Sequence, residues 1–253
     1  MPEPALFQLQ GAGVRFGSIR ALTELDLDVG WGERVAVIGP SGAGKSSLIA
    51  LLNGTLAPTD GQVRVLGRDI AAASGRERRG VQRRLGTIHQ QFHLVEQLRA
   101  VHNVNAGHLG SWSTARAVLS LLAPRDVGRA RQALERVGIG DKLYEHTGNL
   151  SGGEQQRVAI ARVLVQRPAA VLADEPIASL DPARGREIMD LLHEISRETG
   201  TTLLASLHDV DIALERFERV VGLREGRIAF DAAPAALDPA EIEALYALER
   251  GAP

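Results

Sequence analysis

Apolar and polar residues alternate with a period of two in the N-terminal third of the chain, in "LFQLQ" (Leu6 to Gln10), "LDLDV" (Leu25 to Val29) and "QVRVL" (Gln62 to Leu66). Alternation bounded by glycine-rich turns predicts half-exposed strands, here an antiparallel layer. The pattern then changes. "RVAVIG" (Arg34 to Gly39), "AAVLAD" (Ala169 to Asp174) and "TTLLASLH" (Thr201 to His208) are short continuous apolar runs, as expected of strands buried on both faces. Each leads toward a segment with apolar residues at helical spacing: "KSSLIALLNG", stopped at Gly54, then Ala183 to Glu198 and Val210 to Phe217. Strand and helix in alternation imply a mostly parallel sheet whose site lies at the strand carboxyl ends. From about Leu94 to Val165 there is no convincing strand, only helical blocks such as "RARQALERVG". The expected fold is therefore α/β, with residues 1–93 and 166–253 forming the core and its antiparallel layer, and 94–165 an inserted helical subdomain. "VVGLREGRIAF" reads as a hairpin turning at Glu225 and Gly226, and "DPAEIEALYALE" as a capped terminal helix.

Composition adds exclusions. The 253 residues are 44% hydrophobic, enough for a substantial core, and the formal net charge is only −2 with both signs interleaved, so no nucleic-acid footprint is expected. With no cysteine, disulfides, thiol catalysis and cysteine-ligated zinc are excluded, and the cytoplasm is the default location. No window has the roughly 18 apolar residues of a membrane span, and "MPEPALFQLQGAG" lacks the basic start of a leader, so a membrane role is expected to come through a partner.

The candidate chemistry clusters at the predicted strand ends. "GPSGAGKSS" (Gly39, Pro40, Ser41, Gly42, Ala43, Gly44, Lys45, Ser46, Ser47) follows a buried strand and opens a helix, the context a phosphate-binding loop requires. Backbone N–H groups there curl around phosphate oxygens, Lys45 reaches the β and γ phosphates, and the Ser46 hydroxyl ligates Mg²⁺. Asp174 closes another buried strand and is the second expected Mg²⁺ ligand. Glu175 beside it, not needed by the metal, is placed to orient and deprotonate an attacking water, which points to hydrolysis rather than transfer to a bulky acceptor. His208 ends the next strand and is read as a γ-phosphate contact. Gln90, after "LGTIH", is a weaker candidate for sensing Mg²⁺ or the water. His89, His93, His102 and His108 have no acidic or cysteine companions at ligand spacing, and no metal is assigned to them. The basic run Arg76 to Arg84 is read as a solvated face, with an acidic partner or lipid headgroups as the alternative.

One turn, "LSGGEQQ" (Leu150 to Gln156), combines two signals. Ser151 followed by Glu154 is a capping box, with Glu154 expected to turn back to the Ser151 backbone. Capping does not explain Gly152 and Gly153, each costing about 0.5–1 kcal/mol relative to alanine in a helix. Their positions suit an anion at a helix N-terminus, yet the turn has no lysine of its own.

These motifs, in this order and over nearly the whole chain, resemble the ATP-binding cassette family. The resemblance implies a nucleotide-triphosphatase core, ATP and Mg²⁺ as ligands, a glutamine loop at Gln90, Leu150 to Gln156 as the signature, a D-loop at Ser179 to Asp181 with Asp181 near the nucleotide, and Phe16 stacking on adenine. It also implies that a second copy places Ser151, Gly152 and Gly153 against the γ-phosphate held by Lys45. The segments "HQQFHLVEQLRAVHNVNAGHLGSWSTARAVLSLLAPRD", "LADEPIASLDP" and "LHDVDIALERFERVVGLREGRIAFD" are similar to ATPase subunits of bacterial phosphonate importers. That likeness implies permease subunits and, indirectly, an external binding protein as partners, at the cytoplasmic face of the bacterial inner membrane. It leaves phosphite or another oxyanion as alternative cargo. A soluble ATPase serving a phosphonate-cleaving enzyme complex is the reading from a different class.

Overall fold

The alternating segments form a four-stranded antiparallel sheet in the computed structural model, which describes residues 5–122, 124–178 and 180–247. Its strands β1 (Phe7–Phe16), β2 (Ile19–Val29), β4 (Asp60–Val65) and β5 (Arg68–Asp69) lie in the order β2-β1-β4-β5. The first two run well beyond the expected segments. Register shifts between Leu9 and Ala12 and again between Ala12 and Val14 break the two-residue period, which is why alternation alone lost the strand. Gly11, with φ 55°, sits in that irregular stretch and donates its N–H to Asp26 Oδ1 at 2.8 Å.

Six further strands make the central sheet: β3 (Arg34–Ile38), β6 (Leu85–Ile88), β7 (Ala170–Asp174), β8 (Thr202–Leu207), β9 (Arg219–Arg224) and β10 (Arg227–Ala232), in the order β10-β9-β3-β8-β7-β6. All neighbours pair in parallel except the β9–β10 hairpin. That hairpin turns at Glu225 (φ 48°) and Gly226 (φ 74°), the two positive φ values a tight two-residue turn needs. The helices are α1 (Lys45–Leu52), α2 (Gly75–Gln82), α3 (Ala100–Asn105), α4 (Thr114–Leu122), α5 (Val127–Arg136), α6 (Gly152–Gln166), α7 (Pro182–Thr199), α8 (Val210–Arg216) and α9 (Pro239–Tyr246). Helix α9 carries its expected capping box between Asp238 and Glu241; Leu248 and Glu249 of the proposed terminal helix lie outside the described residues, as does Ser179.

Because side chains alternate across a strand, β3 feeds two cores. Val35 and Val37 face the antiparallel layer with Phe7, Leu9, Leu25 and Leu48, while Ala36 and Ile38 face Val104, Leu134, Ile160 and Ile188 on the helical side. Burial on both faces explains the continuous apolar runs of β3, β7 and β8. Helices α3, α5 and α6 thus share their apolar cluster with one face of the sheet.

His193 of α7 is an exception inside this core. It is 4% exposed, neither ring nitrogen has a hydrogen-bond partner among the described residues, and it meets the Phe217 ring edge-on at 4.5 Å. Burial, reinforced by the charges of Arg34 and Arg197, pushes its pKa down to about 4. The native state therefore holds it neutral. As pH falls from about 6.5 toward 4, the unfolded chain binds a proton that the native chain does not, and stability drops by about 1.4 kcal/mol per pH unit from this group. His193→Leu is expected to remove that slope. Urea unfolding at pH 7.5 and pH 5 checks it, since an unchanged difference between the two pH values would absolve His193.

Candidate functional site

The loop from Gly39 to Gly44 joins the end of β3 to the start of α1 in a shape that only glycine permits at its ends. Gly39 has φ 151° and Gly44 φ 105°; a Cβ at Gly39 would overlap the Leu223 carbonyl, and one at Gly44 would lie 2.6 Å from the Ala21 oxygen. Gly44 also occupies the α1 N-cap and supplies no side-chain acceptor, so the first N–H groups of the helix point at a site suited to an anion. Lys45 is 5% exposed, and its Nζ donates to the carbonyl oxygens of Gly39 at 2.7 Å and Pro40 at 3.2 Å. The loop is held from outside as well: Gly226 N–H donates to Ala43 O at 3.0 Å, and Gly226 O accepts from Thr23 N–H at 2.8 Å. The β9–β10 turn thereby ties the loop to β2.

Parallel pairing sets Asp174 directly beside Ser206, at the carboxyl edge of β7 and β8. Asp174 Oδ1 accepts from Ser46 Oγ at 3.1 Å and Ser206 Oγ at 2.8 Å. Ser206 Oγ in turn accepts the Glu175 N–H at 2.9 Å. Glu175 has φ 48°, a left-handed conformation that costs a non-glycine residue on the order of 1–3 kcal/mol and is concentrated at functional sites. That turn carries its Oε1 to 2.5 Å from His208 Nε2. Lys45 and Ser46, Asp174, Glu175 and His208, drawn from three strands far apart in sequence, therefore meet at one edge.

The donor set fits Mg²⁺ arriving with a nucleotide. A hydroxyl and a carboxylate are hard oxygen donors, and among the described residues no three His, Cys, Asp or Glu side chains gather to hold a metal by themselves. One carboxylate completed by substrate phosphates and water is the usual protein contribution to a Mg²⁺ site.

The remaining expected residues lie around this edge. Gln90 is exposed just beyond β6, which pairs with β7. Phe16 is 50% exposed at the end of β1, so it is not a core aromatic. Asp181 caps α7, accepting the Arg184 N–H at 3.1 Å, and shares a cavity of about 140 Å³ with Glu175 and His208. At the distant "LSGGEQQ" turn the capping box forms as expected: Ser151 N–H donates to Glu154 Oε2 at 2.8 Å, and Ser151 Oγ accepts from Glu154 N–H at 3.4 Å. Those hydrogen bonds from the Ser151 backbone and hydroxyl hold the Glu154 carboxyl below the usual range, with Lys142 nearby. A Cβ on Gly152 would meet nothing within 4 Å, and one on Gly153 would first meet Arg184 Cδ at 3.8 Å. Nothing among the described residues requires glycine there.

The His89 and His93 rings meet tilted at 4.4 Å, and His108 stacks on Trp112 at 5.2 Å. With Arg79, Arg83 and Arg162 these three imidazoles line an open groove of about 760 Å³ whose walls include no carboxylate. Burial lowers the pKa of both His89 and His108. Arg79 and Arg83 thus bring part of the basic run Arg76 to Arg84 to a concave surface. Arg162 donates to the carbonyls of Phe92 and His93, both at 2.8 Å.

Two further contributors, Gly226 and Ser206, are not marked by any motif in the sequence. Gly226 was visible only as a turn, because its hold on Ala43 spans the chain. Ser206 does leave a signal, as a polar residue at a fully buried position within the apolar run Leu203 to Leu207.

A family model described as ABC transporter matches residues 22–178. The chain is 50% identical, over 99% of its length, to the phosphonates import ATP-binding protein PhnC of Anaeromyxobacter dehalogenans, and spans half of that relative. It is 46% identical to the phosphonates import ATP-binding protein PhnC of Pseudomonas putida, covering 98% of this chain and 93% of that one. Among solved structures it resembles the dimeric, post-hydrolysis state of the ATP-binding cassette MJ0796 bound to ADP and Pi, at 30% identity and TM-score 0.77, over 91% of this chain and all of that one.

Proposed function

The chain belongs to the ABC transporter family, and from that premise we propose that it is the ATP-hydrolysing subunit that powers import of phosphonates through a separate membrane permease. The observation that carries the catalytic reading is the meeting of Ser46, Asp174, Glu175 and His208 at one sheet edge. The cargo rests on the relatives named for phosphonate import.

In this reading the glycine loop and the α1 N-terminus bind the phosphates of ATP, and Lys45 exchanges its loop carbonyls for the β and γ oxygens. Phe16 offers an exposed aromatic face to adenine, and Asp181 borders the same region. Ser46, Asp174 and, from the exposed loop after β6, Gln90 hold Mg²⁺, which when bound neutralises charge on the transferring phosphoryl group. Glu175 Oε accepts a proton from the attacking water as the new oxygen–phosphorus bond forms and the bond to the β-phosphate oxygen breaks. His208 holds Glu175 in line and faces the γ-phosphate. Residues 1–93 and 166–253 act as the nucleotide-binding core and 94–165 as the signature subdomain.

Two copies are proposed to sandwich two ATP molecules, with Ser151, Gly152 and Gly153 of each copy against the nucleotide of the other. The open space above Gly152 supports this, as does the capping box that turns the Glu154 carboxylate away. No helix among the described residues is long and apolar enough to cross a membrane. The chain would work at the cytoplasmic face of the inner membrane, with the basic groove beside Gln90 as the surface offered to the permease. An external binding protein would act only through that permease.

Reconstituting the chain with its permease in vesicles tests the whole reading. ATPase activity should rise several-fold when a phosphonate-loaded binding protein is enclosed; stimulation only by phosphite-loaded protein would change the cargo. Recovery with soluble phosphonate-cleaving enzymes and no permease would change the class.

A further inference from the structure

Ser206 is fully buried, and its hydroxyl touches both carboxylate-bearing residues of the site. Neither contact serves the sheet. The β7–β8 ladder ends at the pair Asp174 and Ser206, so the next N–H, that of Glu175, lies beyond strand pairing. Ser206 Oγ accepts it at 2.9 Å while donating its own hydrogen to Asp174 Oδ1 at 2.8 Å. One hydroxyl has a single donor and two lone pairs, and here the donor and an acceptor are both committed.

The geometry at Glu175 shows what this accomplishes. With φ 48° the chain turns off the line of β7, which is what carries the Glu175 carboxylate to His208. A left-handed glutamate persists only where its surroundings over-determine it, and the Ser206 acceptor supplies one such restraint on the backbone N–H. The same atom orients Asp174. Both hydroxyls fall on Oδ1, leaving Oδ2 with no hydrogen bond among the described residues and available to a cation.

We propose that Ser206 is a positioning residue for hydrolysis: its hydroxyl fixes the rotamer of the Asp174 metal ligand and the backbone turn of the Glu175 base, setting the spacing between metal and base. This rests on the ATPase reading above. Outer partners of a metal ligand typically change metal affinity or activity by about 10- to 100-fold when removed.

The test compares wild type, Ser206→Ala and Ser206→Thr by three measurements. These are the Mg²⁺ concentration that half-saturates binding of a fluorescent ATP analogue, the affinity for that analogue in EDTA, and kcat with KM. Ser206→Ala should raise the Mg²⁺ half-saturation point by about 10-fold and lower kcat by about 10- to 100-fold, with affinity in EDTA unchanged. Ser206→Thr keeps the hydroxyl on a strand-compatible side chain and should recover most of both. If the alanine variant does not fold, Ser206→Cys, a poor donor of similar size, should show the same losses. Wild-type Mg²⁺ dependence in the alanine or cysteine variant overturns the proposal, as do equal losses in alanine and threonine, which would indicate packing. Absence of Mg²⁺-dependent nucleotide binding in the wild-type chain would instead overturn the ATPase reading beneath it.

Discussion

Glu175→Gln is expected to lower ATP turnover by about 10²- to 10⁴-fold, the usual contribution of a positioned general base, while ATP binding persists. Glutamine keeps the shape, can still present an oxygen to His208, and tolerates the left-handed backbone as well as glutamate does. What it loses is the ability to take a proton. It also removes a negative charge beside the γ-phosphate, so the ATP-bound dimer should outlive that of the wild type. Phosphate release and gel filtration with ATP read the two halves separately. Near-normal release would remove Glu175 as the base; loss of binding would show that the carboxylate organises the site instead.

The second large effect separates folding from function at the "LSGGEQQ" turn. Gly152→Asp should make the isolated chain slightly more stable, because a Cβ there meets open space. Replacing a helical glycine contributes about 0.5–1 kcal/mol and an acid in the first turn about 0.3–1 kcal/mol. Activity should move the opposite way. A carboxylate about 4 Å from a phosphate oxygen costs on the order of 4 kcal/mol at an effective dielectric of about 20, or roughly 10³-fold. Thermal unfolding and ATPase assays should therefore diverge; parallel loss of both would mean that the glycine serves the fold. Mixing this variant with Lys45→Ala then locates the ligand. If the turn acts on the other copy's nucleotide, the mixed pair keeps one intact site and photolabels with ATP at about half the wild-type level. If it acts within its own chain, both sites are damaged.

How far the sequence revealed this molecule depended on the range of the interaction. The phosphate loop, the Asp174–Glu175 pair, the capping boxes at Ser151 and Asp238 and the Glu225–Gly226 hairpin are each encoded within a few residues, and the structure forms those caps and that hairpin where local patterns place them. Strand β1 escaped detection beyond Gln10 because bulges shift its register and destroy the alternation on which the expectation relied. The basic groove was invisible because α2, the end of β6 and the turn after α3 become neighbours only through folding. Ser206 belongs to the same class: its partners at Asp174 and Glu175 are distant in sequence, and only the sheet register brings them within hydrogen-bond reach.

Helix α6 begins at Gly152, on the surface proposed to meet the second copy, and ends at Gln166, whose side chain grips the carbonyls of Arg83 and Leu85. Near that end Arg162 holds Phe92 and His93, both at positive φ, two and three residues past Gln90. Fifteen residues at 1.5 Å each make a rod of about 22 Å. The hydrogen bonds of Arg162 and Gln166 connect that rod directly to the loop after Gln90 and to the start of β6. If two copies pair as proposed, this rod joins the turn that meets the second copy's nucleotide to the wall of the basic groove.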